Sequence, residues 1–367
     1  MGSLNHQKPQ VPMPVLQVIL ILALLIFVHE LGHFLAARLQ GIYANRFSIG
    51  FGPVVWRYQG SQTEYALRLL PLGGFVGFPD DDPDSDIDPN DPNLLRNRPV
   101  LDRAIVISAG VIANLLFAYF VLTTQAFTVG IPHLNFNPGA ALPQVVEGSI
   151  AQKAGLQRGD VVLKVNDVVL PGDGTSAEQL RKAIESSFDT TLNLQVQRGT
   201  EDLSIALTPE LKDGKGRIGI ALSPNARVDI QHPSNPIAGL VLAGDEFTHV
   251  VNQTVQGFGK LVTDFGNTSK QIAGPVEIVR QGARIAKNDW KNLFAFTTLI
   301  SINLAVMNIL PLPALDGGQL IFIILEGLRG KPLPKRFEEG FMQTGLVLLL
   351  SLGVILIIRD TANWIQQ

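Results

Sequence analysis

PVLQVILILALLIFVHELGHFLAARL occupies residues 14–39, an apolar run that passes without a break into His29-Glu30-Leu31-Gly32-His33. Residues four apart share a helix face, so His29 and His33 point the same way, one turn apart. That spacing lets two imidazoles hold one Zn²⁺, with Glu30 close enough to take a proton from water at the metal. A helix starting at Pro14 carries His29 roughly 22 Å along its axis, inside an apolar layer about 30 Å thick. Two His and a Glu at that depth are costly unless paired, enclosed by protein or bound to metal. A solvated helix meeting the pattern by accident is a poor alternative, because Val18–Val28 is wholly apolar. The stretch points to a metal site inside a membrane-spanning helix.

The rest of the composition agrees with a membrane setting. Of 367 residues, 46% are hydrophobic and only 17% charged, and mean hydropathy is positive, as for a membrane protein with soluble parts. A net charge of −3 offers no basic surface, so no nucleic-acid partner is expected. The absence of cysteine excludes disulfides, thiolate ligands and a Cys nucleophile, and leaves His and carboxylates as metal ligands. The first apolar run is too long for a signal-peptide core and has no small-residue cleavage site, so it is expected to stay attached.

Four runs are long and apolar enough to span a bilayer: about 14–37, 104–131, 293–312 and 341–358. The fold class is therefore a polytopic α-helical membrane protein with four transmembrane helices. Arg38, Arg46, Arg57, Arg68, Arg96, Arg98 and Arg103 lie between the first two spans. Arg329, Lys331, Lys335 and Arg336 lie between the last two, and the N-terminal tail has only Lys8. Positive short loops stay cytoplasmic, which puts both termini and the long 132–292 segment outside.

Between the spans, the chain divides as follows. The tail and first helix fill 1–46. Residues 47–78 read as two strands about a turn at Gly60-Ser61, a membrane-associated β-hairpin that either offers an edge to an extended peptide or is purely structural. Residues 79–103 hold seven Asp between Asp80 and Asp91, without the Gly and Glu of an EF-hand, and read as a solvated acidic cytoplasmic loop. Asn114, alone in the second span, either bonds a neighbouring helix or faces the active cavity. Ser149-Ile-Ala151-Gln-Lys-Ala154-Gly155-Leu156-Gln-Arg-Gly159-Asp160 opens the helix-turn-strand passage of a segment, 140–225, that resembles a PDZ domain. That resemblance implies an extracytoplasmic α/β domain binding peptide C-termini by strand addition, or one that only gates and spaces. Residues 234–290 carry apolar residues at helical spacing from Ile237 to Phe265 and a break at Gly274-Pro275. They read as amphipathic helices on the outer membrane surface or on the 140–225 domain.

The third span runs into Pro311-Leu-Pro313-Ala-Leu315-Asp316-Gly317-Gly318. The prolines break the helix near its cytoplasmic end, the side on which His33 lies. A catalytic Zn²⁺ takes three protein ligands and an open position, and Asp316 is the sole acidic residue from Asn292 to Leu325. Asp316 is thus the candidate third ligand, with a turn or helix cap as the structural alternative.

HELGH in the first span, Asn308-x-x-Pro-x-x-x-Leu-Asp316-Gly after the third, and one PDZ-like segment between spans 2 and 3 resemble the four-span bacterial site-2 proteases, intramembrane zinc metalloproteases. The likeness covers nearly the whole chain. It implies His29, His33 and Asp316 as Zn²⁺ ligands and Glu30 as general base. It implies substrate contacts from Asn308 and Asn303, beside the candidate Asn114. It also implies single-span membrane proteins as substrates, such as anti-sigma factors or signal-peptide remnants, already shortened by another protease. The expected setting is the lipid bilayer of the inner (plasma) membrane, with the metal near the cytoplasmic face. A zinc transporter and an inactive PDZ scaffold are the other readings; neither needs a base beside the His pair.

Overall fold

The computed structural model describes residues 12–82, 85–212, 214–268, 272–331 and 333–365. In chain order, α1 (Met13–Leu39) is followed by β1 (Arg46–Gln59), β2 (Glu64–Gly77) and α2 (Val100–Thr128). Then come β3 (Ile131–Val145), α3 (Ile150–Lys153), β4 (Val161–Val165), β5 (Val168–Val169), α4 (Ser176–Ser186), β6 (Leu192–Arg198), β7 (Glu201–Leu207), β8 (Glu210–Lys212), β9 (Lys215–Arg217) and β10 (Ile220–Gln231). The chain closes with α5 (Pro236–Thr263), α6 (Phe265–Thr268), α7 (Pro275–Asn288), α8 (Asn292–Ile309), α9 (Asp316–Arg329) and α10 (Lys335–Ile365). Two compact units result: one from residues 1–129 with 232–367, the other from 130–231.

In the first unit, among the described residues, α1, α2, α8 and α10 are the four helices long and apolar enough to cross a membrane. The small residues Gly32, Ala109 and Ala113 let α1 and α2 approach closely. A Cβ on Gly32 would lie 2.4 Å from the Ala109 carbonyl oxygen, so apposed small residues set the crossing, as in membrane helix pairs. On the far side of α2, the Ser301 hydroxyl donates to the Asn114 carbonyl at 2.8 Å and ties α8 alongside.

β1 and β2 form more than a simple hairpin. Tyr58 faces Tyr65 and Gln59 faces Glu64 about the turn, while residues 46–49 return beside 64–67 in parallel register. The other edge of 46–49 pairs with 74–77, Arg46 with Gly77 and Ile49 with Gly74. The sheet rests on α1 through Phe27 and Phe34, whose rings lie 5.9 and 5.2 Å from that of Phe47.

Several carboxylates of the acidic loop are engaged among the described residues. Asp80 accepts from the backbone N–H groups of Leu95 and Arg96, Asp82 pairs with Arg46 at 3.0 Å, and the Tyr43 hydroxyl donates to Asp91. Three of its carboxylates therefore hold the chain between β2 and α2.

Pro236 at the first turn and the Asn235 side chain, which accepts from Ala238 N–H, start α5. Its first half runs beside the last turns of α2: the Tyr119 hydroxyl donates to the Leu240 carbonyl, Tyr119 meets Phe247 edge-on, and Gly239 lies against Phe127. This packing seats the first half of α5 on α2. α7 follows, with Gly282 wedged against Val18 and Phe296. Asp360 of α10 caps α7 by accepting from Glu277 N–H at 3.0 Å.

The second unit is a six-stranded sheet in the order β10-β3-β4-β6-β7, with β5 added on β4. Leu142, Leu156, Val162, Leu180, Leu192, Leu194 and Val196 fill its core beneath α4. Its buried Asp160 takes two hydrogen bonds from Arg198, both 2.8 Å, and one from Gln157 N–H. Its bounds are wider than the 140–225 segment read from sequence, because β3 and β10 extend as a paired ribbon to Ile131 and Gln231.

Candidate metal centre

The face of α1 bearing His29 and His33 turns to α2, and the face bearing Phe27, Glu30 and Phe34 turns to the β1–β2 sheet. His33 Nδ1 lies 2.8 Å from the Val106 carbonyl oxygen. A carbonyl only accepts, so Nδ1 carries the proton and Nε2 presents its lone pair. That Nε2 stands 3.3 Å from His29 Nε2. Asp316, at the start of α9, brings Oδ2 to 3.2 Å from His29 Nε2 and 3.3 Å from His33 Nε2.

This triangle passes a metal test. The buried Asp316 Oδ2 has no hydrogen-bond partner, an arrangement that costs free energy unless a cation fills the gap. A tetrahedral ion about 2.0–2.1 Å from N and O ligands spaces them roughly 3.3–3.4 Å apart. The three observed edges match that spacing. Among the described residues, this is the cluster of three His, Asp or Glu groups suited to an ion.

Glycines make room for it. A Cβ on Gly110 would sit 2.2 Å from His33 Nε2 and 2.8 Å from His29 Cε1, so only glycine admits the imidazole pair against α2. A Cβ on Gly74 would lie 2.8 Å from Glu30 Cγ. The β2 backbone thus runs against Glu30, and Val76 hydrogen-bonds its carboxylate. At the break before α9, Cβ atoms on Gly317 and Gly318 would lie 2.3 and 2.2 Å from the carbonyls of Ile309 and Leu312. Ala314 adopts φ +65° there, and the tight reversal delivers Asp316 back to the level of the His pair.

A model of the family described as "Peptidase family M50" matches residues 17–352. The chain belongs to this family. "Putative zinc metalloprotease all3971" of Nostoc sp. is 56% identical over 97% of this chain and 99% of its own length. "Membrane metalloprotease ARASP, chloroplastic" of Arabidopsis thaliana is 44% identical over 95% of this chain and 79% of its own length. "Protease RseP" of Yersinia pestis is 28% identical over 93% of this chain and 97% of its own length. Within this M50 chain, the structure brings together His29, His33 and Asp316, with Glu30 beside them.

The asparagines separate. Asn114 is fully buried, with Nδ2 3.4 Å from His29 Nδ1. Asn308 shares the helix face of Ser301 two turns further along α8, whereas Asn303 turns to the opposite face. Among the described residues, neither makes a hydrogen bond to the metal cluster. Gly110 and the Val106 carbonyl are the site features that sequence reading missed. The one available signal was the small-residue spacing of Ala109, Gly110 and Ala113 in an otherwise bulky span.

Proposed function

We propose that the chain is an intramembrane zinc metalloendopeptidase of the site-2 type, cutting peptide bonds within the transmembrane segments of other membrane proteins. The observation that carries this reading is the triangle of His29, His33 and Asp316 with Glu30 on the adjoining face of the same helix turn. Zinc, the metal in the name of the Nostoc relative, fits three N/O ligands without thiolate. Neither a zinc transporter nor an inactive PDZ scaffold needs a carboxylate base beside the ligand pair.

In this mechanism His29, His33 and Asp316 would hold the ion. Bound Zn²⁺ supplies Lewis acidity toward the scissile carbonyl and toward water. Glu30 takes the proton of the attacking water and later gives it to the leaving amine. The Val76 hydrogen bond and the Gly74 contact keep its carboxylate aimed at the cluster. A substrate helix hides its carbonyls in internal hydrogen bonds and must unwind before attack. The β1–β2 edge, Asn308 and Asn303 are proposed to offset the backbone bonds it loses.

The finer assignments rest on sequence pattern and exposure. Val54, Val55, Trp56, Tyr58 and Leu69 are exposed on the sheet, in keeping with a membrane-associated hairpin. β10 is an edge strand, and a groove between Ile220–Leu222 and Arg181 and Ile184 of α4 suits strand addition of a peptide C-terminus. The 130–231 unit is placed outside the membrane as a PDZ-type filter, admitting single-span substrates only after another protease has shortened them. The metal centre is placed toward the cytoplasmic face of an inner (plasma) membrane.

The deciding test replaces Glu30 by Gln in the purified, zinc-loaded chain. Cleavage of a transmembrane peptide should fall by roughly 10²–10⁴-fold, while zinc remains at one per chain. Undiminished cleavage contradicts the assignment.

A further inference from the structure

We infer that Asn114 is a positioning residue for the metal: its side-chain oxygen accepts the Nδ1–H of His29 and fixes that imidazole with Nε2 toward the ion. The inference rests on the metal-site reading above and adds to it a residue from a third position.

Each metal-ligating imidazole uses one nitrogen for the ion and carries a proton on the other, and that proton needs an acceptor. His29 and His33 both present Nε2 to Asp316, so both Nδ1 atoms must donate. For His33 the acceptor is the Val106 carbonyl at 2.8 Å. For His29 the neighbouring group is the Asn114 amide, 3.4 Å away.

The placement of that amide is informative. Its nitrogen stands toward His29, while its Oδ1 is buried without a partner. Two ends of a carboxamide exchange places by a half-turn about the last side-chain bond. After that turn the oxygen meets Nδ1–H, and the orphaned acceptor is satisfied. The nitrogen-inward setting pairs only with an unprotonated Nδ1, the tautomer whose Nε2–H blocks ligation, so ligation selects the oxygen-inward setting.

Burial separates this role from substrate contact. Asn114 is 0% exposed, and its own carbonyl is held by the Ser301 hydroxyl at 2.8 Å. The turn of α2 that carries it is clamped between α1 and α8, which leaves the amide a rotation and little else. An outer partner fixed in this way stiffens the ligand and sharpens metal affinity.

The test measures zinc affinity of the full chain in detergent by competition with a chromophoric chelator, starting from chelator-stripped protein. Asn114→Leu removes the acceptor, and Asn114→Asp keeps an oxygen in its place. The expected result is a loss of roughly 10–100-fold in affinity for Asn114→Leu, with Asn114→Asp equal to or tighter than the parent. The visible bands of Co²⁺-loaded protein should shift in Asn114→Leu and stay tetrahedral in Asn114→Asp. Parental affinity in Asn114→Leu, or equal losses in both variants, overturns the inference. A parent chain that binds no stoichiometric zinc fails the metal-site reading itself, a separate outcome visible before any variant is compared.

Discussion

At the scale of single residues, Gly110 controls whether the site can exist. One methyl group there would occupy the space of His33 Nε2, and α2 cannot retreat because Gly32 holds the α1 backbone against Ala109 and Ala113. Gly110→Ala is expected to yield a folded chain with less than about a tenth of the parental zinc affinity, by displacement of one ligand. Metal analysis after equilibrium dialysis checks this, and full zinc occupancy would contradict it. The proposed ligands themselves were legible: the His29–His33 spacing came from helix geometry, and Asp316 from the lack of any other acid or thiol near the third span. Gly110 was not, because a glycine in an apolar span reads as packing and reveals nothing of what it packs against. The role of Asn114 was open for a like reason. One polar residue facing inward bonds a helix or lines a cavity, and only the partner atom decides.

Among elements, α9 is the unexpected one. The sequence shows Asp316 beyond a proline break, yet Gly317 and Gly318 in the first turn argue against a helix by propensity. The structure keeps them because the carbonyls of Ile309, Leu310 and Leu312 press where side chains would be. Its far end offers clearer signals, Arg329 in the last turn and Gly330 at φ +66°. α9 is anchored to α2 by Arg103, which donates to both Glu326 oxygens at 2.8 Å, with Gly327 against Val100. The pair is largely buried, at 16% and 22% side-chain exposure. Removing one partner strands the other, at a cost of roughly 3 kcal/mol. Arg103→Met should therefore lower resistance to denaturant and loosen zinc by freeing the helix that carries Asp316. The Arg103→Glu, Glu326→Arg double variant should recover part of both. Unchanged zinc affinity in Arg103→Met would show that the 310–315 turn alone positions the ligand.

For the whole molecule, the chain divides into two compact units. Ile131 pairs with Gln231, so the 130–231 unit enters and leaves by neighbouring residues about 5 Å apart. Its replacement by a short Gly-Ser linker should leave the membrane unit with one zinc, because every proposed ligand and the base lie in α1 and α9. The proposed filter would be lost with it: cleavage of unshortened substrates should rise, as read by product formation beside a shortened control. Unchanged selectivity would remove the filter role. Within that unit, burial alone would push the Asp160 carboxyl up, but the hydrogen bonds from Arg198 and Gln157 hold it below the ordinary carboxylate value. A depressed folded-state value means that the stabilisation is present above about pH 4, the unfolded value, and is lost as pH falls through the lower folded one. Asp160→Asn should destabilise the unit by on the order of 2 kcal/mol at neutral pH and flatten its acid dependence; an unaltered acid limb would assign that dependence elsewhere.

The span pattern, the amphipathic helices and the strand-rich insert were visible because each repeats a simple period over many residues. The folded-back β1–β2 register and the α5–α2 contact were not, since they depend on Phe27, Phe34, Tyr119 and Phe247 meeting partners far away in the chain. Everything turns on one proposed coordination sphere shared by α1 and α9, whose proposed ligands His29 and Asp316 stand far apart in the sequence. X-ray absorption at the zinc edge of the purified chain probes that sphere directly. One zinc per chain is expected, in a four-coordinate N/O shell at about 2.0 Å with the outer-shell scattering of two imidazoles, reduced to a weaker, altered shell in Asp316→Ala. Absence of stoichiometric zinc, or a shell that Asp316→Ala leaves untouched, would contradict the shared sphere.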